Sequence, residues 1–88
     1  MEIKLTARFE RDFAKRIAGT HLDAEFEALL NLLVSGAALP AKYRDHPLKG
    51  DRGGVRDCHL RPDIVLLYSR SENLLKLVRI GTHADLFG

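Results

Sequence analysis

The run Ile64-Val65-Leu66-Leu67-Tyr68 is the longest uninterrupted apolar stretch in the chain. It is far short of the ~20 residues that cross a bilayer. As a strand it carries apolar side chains on both faces, so both faces must be covered. With 88 residues in all, the cover has to come from the same small domain, residues 1–88, whose radius of gyration should be roughly 12 Å. Hydrophobic residues at 45% and charged residues at 30% match a globular domain and exclude a disordered tail or a membrane protein. Residues 1–11 alternate charged with apolar groups, so no signal peptide is expected. Cys58 is the single cysteine and has no internal partner, which suits the reducing cytoplasm.

The rest of the chain supplies that cover. Ile3 and Leu5, separated by charged or polar residues, alternate with period two and predict a short N-terminal strand. Thr6 then opens a helix whose Phe9, Phe13 and Ile17 form one apolar stripe, ended by Gly19. Thr20 can cap a second helix in which Leu22, Phe26, Leu29, Leu30, Leu33 and Val34 repeat at helical spacing until Gly36. The short link between the helices predicts an antiparallel hairpin. Three strands follow at Val55–Leu60, Ile64–Ser69 and Leu74–Ile80, forming an antiparallel meander. The expected fold is α+β: an N-terminal strand and a two-helix hairpin packed on a twisted, mainly antiparallel four-stranded sheet.

Between helices and meander lies a link of roughly eighteen residues, beyond the ~12–15 usual for structureless connections. Residues 41–62 hold six basic against three acidic groups, while the flanking segments are near neutral or slightly acidic. A local excess of this kind attracts phosphate or an acidic partner, although a solvated basic loop has the same composition.

Three of the four histidines, His46, His59 and His83, fall in the second half, in the loop, a strand and the tail. Imidazoles take and give protons near neutrality, so three of them converging from separate elements would make an acid/base site. Singly, each reads more simply as a surface or hydrogen-bonded structural histidine. His59 adjoins Cys58, and neighbours in a strand point to opposite faces, which argues against a shared metal. Neither a Cys-x-x-Cys nor a His-x-x-x-His pair is present, so neither metal nor cofactor is expected. Arg79 offers a fork suited to phosphate oxygens, or it pairs with Asp63 or Asp57 across the sheet. Asp63 after Pro62 can cap a turn, and Phe87 is either a core plug or a platform for a base. Two histidines and a cation suffice to cleave RNA through its own 2′-hydroxyl, a group that DNA lacks.

The segments Tyr43-Arg44-Asp45-His46-Pro47-Leu48-Lys49-Gly50, Arg56-Asp57-Cys58-His59-Leu60-Arg61-Pro62-Asp63 and Arg79-Ile80-Gly81-Thr82-His83-Ala84-Asp85-Leu86-Phe87 closely resemble the YafQ-type branch of the RelE superfamily of bacterial toxins. The resemblance extends over essentially the whole chain. It implies a ribosome-dependent mRNA endonuclease silenced by a cognate antitoxin, monomeric alone and oligomeric only with that antitoxin, with no membrane attachment. By motif position it places His46, His59, Asp63, Arg79, His83 and Phe87 on the catalytic face. His83 and His46 would be the acid/base pair, Arg79 the phosphate stabiliser, and His59 and Asp63 supporting groups. Lys42, Arg44, Lys49, Arg52, Arg56 and Arg61 would contact messenger or ribosomal phosphates. Ile64 stands where some relatives carry tryptophan, which removes a stacking group. The alternative is a non-catalytic toxin of the same scaffold that acts by binding a protein target.

Overall fold

A computed structural model describes residues 1–50 and 53–88. Strand β1 (Glu2–Leu5) leads into helix α1 (Ala7–Arg16) and helix α2 (Leu22–Ser35). A single 3-10 turn (Ala41–Tyr43) precedes the two-residue strand β2 (His46–Pro47). Strands β3 (Arg56–Arg61), β4 (Ile64–Arg70) and β5 (Leu74–Gly81) follow, and helix α3 (His83–Phe87) closes the chain. The sheet order is β1-β5-β4-β3-β2, with β1 parallel to β5 and the other neighbours antiparallel. The expected architecture holds, with five strands instead of four. The link between α2 and β3 supplies the fifth strand, and its Tyr43 is buried in the core. The radius of gyration is 12.0 Å. Among the described residues, no helix is long and apolar enough to cross a membrane.

Local signals explain the helix ends. The Thr6 hydroxyl accepts from the Phe9 amide at 2.9 Å and caps α1. Gly36 ends α2 at φ 78°, a left-handed conformation in which glycine carries no Cβ penalty. The Leu33 carbonyl of α2, which also accepts from the Gly36 amide, and the Ala37 carbonyl each accept from Arg70 Nη1 at 3.1 Å, placing a cation at a helix C-terminus. The α2 N-terminus departs from expectation. His21 is its cap residue and makes no side-chain bond, while Thr20 Oγ1 accepts from the Leu22 amide at 3.1 Å.

Phe9, Phe13 and Phe26 stack where the helices meet, with ring centroids 5.1–5.9 Å apart. Ile17, Leu29 and Leu33 complete the helical stripes against Cys58, Leu66, Tyr68, Leu75, Leu77 and Ile80 of the sheet. The α2 stripe is narrower than its sequence spacing implies, because Val34 is exposed. On β4, Val65, Leu66, Leu67 and Tyr68 are all buried, so the apolar run is covered on both faces as its composition requires. Leu66 and Tyr68 join the helix-facing core, and by strand alternation Val65 and Leu67 lie on the other face. That second face carries the candidate site.

Candidate active site

Alternation along β3 builds the first part of the site. Cys58 faces the core, so Asp57 and His59 share the opposite face. Burial pushes the Cys58 thiol well above its usual range, which keeps it protonated and unreactive. The antiparallel register sets His46 of β2 directly beside Asp57. Asp57 is buried, and its Oδ1 lies 3.3 Å from His59 Nε2 and 3.7 Å from His46 Nε2.

The other ring nitrogens fix the tautomers. His46 Nδ1 lies 2.9 Å from the Pro47 carbonyl, and His59 Nδ1 lies 3.3 Å from the Pro62 carbonyl. A carbonyl only accepts, so each Nδ1 carries a proton and Nε2 is the nitrogen that each ring turns toward Asp57. Asp57 Oδ1 has no hydrogen-bond partner among the described residues. Two imidazole nitrogens and one carboxylate oxygen therefore face one another, a set that a proton or a metal ion between them would join. The ligand atoms of His46, Asp57 and His59 lie within 4.8 Å of one another.

Loop chemistry places His46. Arg44 adopts φ 49°, a left-handed conformation rare outside glycine, and turns the chain into β2. Asp45 then reaches inward, accepting from Tyr68 Oη at 2.6 Å and from Arg56 at 3.2–3.3 Å. Burial and this bond push the Tyr68 hydroxyl well above its usual pKa. His46 is thereby tied, through its neighbour, to the centre of β4.

The tail contributes the rest. Thr82 and Asp85 form a capping box around the first turn of α3. His83 donates to Asp63 Oδ1 twice, from Nδ1 at 2.6 Å and from its backbone N–H at 2.9 Å. Those two bonds, the backbone one foremost, hold the Asp63 carboxyl below its usual range. With Nδ1 engaged, His83 Nε2 is the nitrogen left to exchange protons. The His83 ring stands 5.6 Å from that of His59 and 6.0 Å from that of Phe87. At 53% exposure Phe87 is open to solvent, which fits a stacking platform and not a core plug. The β3–β4 register shift between His59 and Arg61 lies at this corner, where a bulge re-aims side chains.

Arg79 departs from expectation. It pairs neither with Asp63 nor with Asp57; its Nε and Nη2 donate to Asp12 of α1 at 2.9 and 2.8 Å, and its Nη1 lies 3.4 Å from the Asp85 carbonyl. Burial opposes the charge of Asp12, but the bonds from Arg79 and the Ile80 amide outweigh it and hold the Asp12 carboxyl below its usual range. The Arg79 fork is thus occupied, and its side chain is only 19% exposed. Cations that do share a space with His59 line a cleft of about 350 Å³ formed by Lys42, Tyr43, Arg44, Arg61 and Pro62 with that histidine. Arg61 is bound there to Glu25 at 2.9–3.0 Å. Lys49 is exposed, Arg56 is partly committed to Asp45, and Arg52 lies outside the described residues. Ile64 packs against the core and offers no stacking surface.

Asp57 and Asp85 are site residues that motif reading passed over. Both had a local signal: Asp57-x-His59 puts two polar groups on one strand face, and Thr82-x-x-Asp85 is a capping-box spacing. Asp12 had none, since it reads as one of many charges on an exposed helix face.

The geometry is matched by kinship. A family model described as a bacterial toxin of type II toxin-antitoxin system, YafQ, matches residues 1–88. The mRNA interferase toxin YafQ of Escherichia coli K12 is 39% identical over 89 residues, 99% of this chain and 96% of that relative. A chain of the crystallised E. coli DinJ-YafQ complex matches at TM-score 0.85 and 37% identity, covering 99% of this chain and 98% of that one. A metal-bound toxin from Helicobacter pylori matches at TM-score 0.88 and 37% identity, covering 99% of each.

Proposed function

The chain belongs to the YafQ family of toxins of bacterial type II toxin-antitoxin systems, and from that premise we propose that it is a cytoplasmic endoribonuclease that cuts messenger RNA on the ribosome without a catalytic metal. The observation that carries this reading is the meeting of His46, His59 and His83, from a loop strand, a sheet strand and a tail helix, around Asp57 and Asp63. Surface histidines have no reason to gather from three elements.

The chemistry follows from the free nitrogens. One imidazole takes the proton of the 2′-hydroxyl, whose oxygen attacks the adjacent phosphorus. The P–O5′ bond breaks, leaving a 2′,3′-cyclic phosphate, and a second imidazole gives the departing 5′-oxygen its proton. His83 and His46 hold these two roles. Asp63 orients His83, as a carboxylate on Nδ1 fixes the tautomer and leaves Nε2 to react. His59, between them with its Nε2 3.3 Å from Asp57 Oδ1, tunes the pair. Phe87 stacks a base beside the scissile phosphate. Charge on the phosphorane falls to Lys42 and Arg44 of the cleft that shares His59, because Arg79 is paired with Asp12 and Arg61 with Glu25. Lys49, Arg52 and Arg56 add phosphate contacts to messenger or ribosome. A cognate antitoxin binds this chain, as DinJ binds YafQ in the E. coli complex, and the toxin alone is monomeric.

The test is cleavage in a translating extract with the 5′ ends mapped. Purified protein should cut messenger and leave DNA whole, and His83→Ala should lose cutting by ~10²–10⁴-fold with its fold intact. Arrested growth with messenger uncut would instead support the non-catalytic toxin.

A second reading of the same cluster is favoured by the convergence of His46, Asp57 and His59, whose ligand atoms lie within 4.8 Å of one another. Imidazoles whose Nδ1–H groups are held by carbonyls, aimed beside a carboxylate, are the donor set of a Zn²⁺ or Cu²⁺ site, and H. pylori relatives have been crystallised metal-bound and copper-bound. Such an ion would occupy His46 and His59 and so inhibit; stimulation of cutting by zinc or copper would contradict that.

A further inference from the structure

The residues at the end of β5 and in α3 are bound to α1 by crossed charges. Asp12 and Arg16 sit four residues apart on one face of α1. Asp12 receives Arg79 and the Ile80 amide, the latter at 3.2 Å. That amide lies beyond the reach of β1, whose pairing with β5 ends at Leu5↔Leu77. Arg16 donates to both oxygens of Asp85, Nε and Nη2 each at 2.7 Å. Asp85 Oδ2 also accepts from the Thr82 amide at 3.0 Å, and Thr82 Oγ1 accepts from the Asp85 amide at 3.0 Å. Arg79 Nη1 touches the Asp85 carbonyl at 3.4 Å, which joins the two ion pairs into one ring.

The backbone is fitted to this ring. A Cβ on Gly81 would stand 2.8 Å from Asp85 Oδ2 and 3.0 Å from Asp85 Cβ, so only glycine lets the carboxylate fold back over the end of β5. The helix so held is too short to be stable alone, and none of its residues is buried. Hydrophobic packing therefore does little to fix it, and charge-assisted bonds, being short and directional, can. His83 lies two residues from Asp85, and Phe87 two residues beyond it.

We propose that Asp85 and Arg16 are positioning residues for the nuclease reaction: they clamp α3 to α1 so that His83 meets Asp63 and His59, and Phe87 faces the substrate. Asp12 and Arg79 act in the same clamp. The inference rests on the nuclease reading for its kinetic consequence, but its geometric consequence stands apart from that reading.

The experiment uses the full chain with Arg16→Met, which keeps the apolar stem and leaves the capping box intact, and Arg16→Lys. Single-turnover cleavage on programmed ribosomes should fall about ten- to a hundred-fold in Arg16→Met, the cost of a displaced catalytic group, with the half-saturating toxin concentration unchanged. Arg16→Lys should recover part of the rate. NMR should show the nuclear Overhauser contacts between the His59 and His83 rings lost in Arg16→Met and the His83 amide exchanging faster, while Tm falls by no more than about 5 °C. Unchanged cleavage, or a change confined to half-saturation, would overturn the proposal by making Arg16 neutral or a simple RNA contact. If the wild type cuts nothing, the nuclease reading fails and the ring contacts alone decide: their persistence in Arg16→Met overturns the clamp.

Discussion

Tyr68→Phe isolates the bond that anchors the loop bearing His46. The Tyr68 ring is fully buried, and its hydroxyl gives one proton to Asp45 at 2.6 Å. Phenylalanine fills the same space, so no cavity arises and only the bond is removed. A hydrogen bond to a charged group contributes about 1.5–3 kcal/mol. Here the lower half of that range applies, because Asp45 keeps Arg56 as a partner and, with its side chain 18% exposed, can recruit water. A loss of about 1.5–2 kcal/mol lowers Tm by roughly 6–16 °C in a domain of this size.

The variant also carries an alkaline signature. The raised pKa of Tyr68 means that the folded state holds this proton more tightly than the unfolded one. Its stabilising contribution is full below the unfolded value of about 10 and declines as pH rises beyond it. Thermal melts between pH 8 and 11, followed by circular dichroism (pH values roughly bracketing that pKa), should show a decline in the wild type that is shallower in Tyr68→Phe. Messenger cleavage should weaken in parallel, as β2 loosens and His46 loses its place beside Asp57. A variant with unchanged Tm and an unchanged alkaline slope would refute the view that Asp45 and Tyr68 fasten the loop to the sheet.

Other consequences follow from the same contacts. Gly81→Ala should displace the tail without unfolding the sheet, giving a cooperative melt but cleavage reduced about ten-fold or more; full activity would mean that Asp85 need not lie over this glycine. Asp12, Asp63 and Asp85 all have lowered pKa values, so the stability they confer is present above about pH 4 and is lost as pH falls through their folded values. Asp12→Asn should therefore be less stable than wild type at neutral pH, with the gap closing in acid melts, and a gap independent of pH would exclude the ion pair as its cause. Cys58 is fully buried with its thiol pushed up, so iodoacetamide should label it only as the protein unfolds, at a rate that tracks denaturant; rapid labelling of the native protein would place the thiol at the surface.

The clustered histidines were legible in sequence only as a set of residue types. His46, His59 and His83 stood out because they fall in three different elements, and β-strand alternation separated His59 from Cys58 before any contact was known. Asp57 escaped notice although its spacing from His59 puts both on one face, because a lone aspartate in a strand reads as a cross-strand partner. The link from residue 37 to 54 read as a long loop, since two residues of β2 and one 3-10 turn leave no periodic signal. Yet Tyr43 in that turn is a core residue, and His46 in that strand is part of the site.

Sequence alone determined β1, α1, α2 and the three strands of the meander with its covered central strand, because hydrophobic periodicity, Thr6 and Gly36 act over a few residues. Tertiary structure decided which charge meets which. Arg79 goes to Asp12 across 67 positions, Arg16 to Asp85 across 69, and Tyr68 to Asp45 across 23. The reason is geometric: a salt bridge needs its atoms within about 4 Å, and only the packing of α1 against β5, and of the loop against β4, brings those side chains together. That same packing engages the Arg79 fork with Asp12 and brings its Nη1 to 3.4 Å from the Asp85 carbonyl.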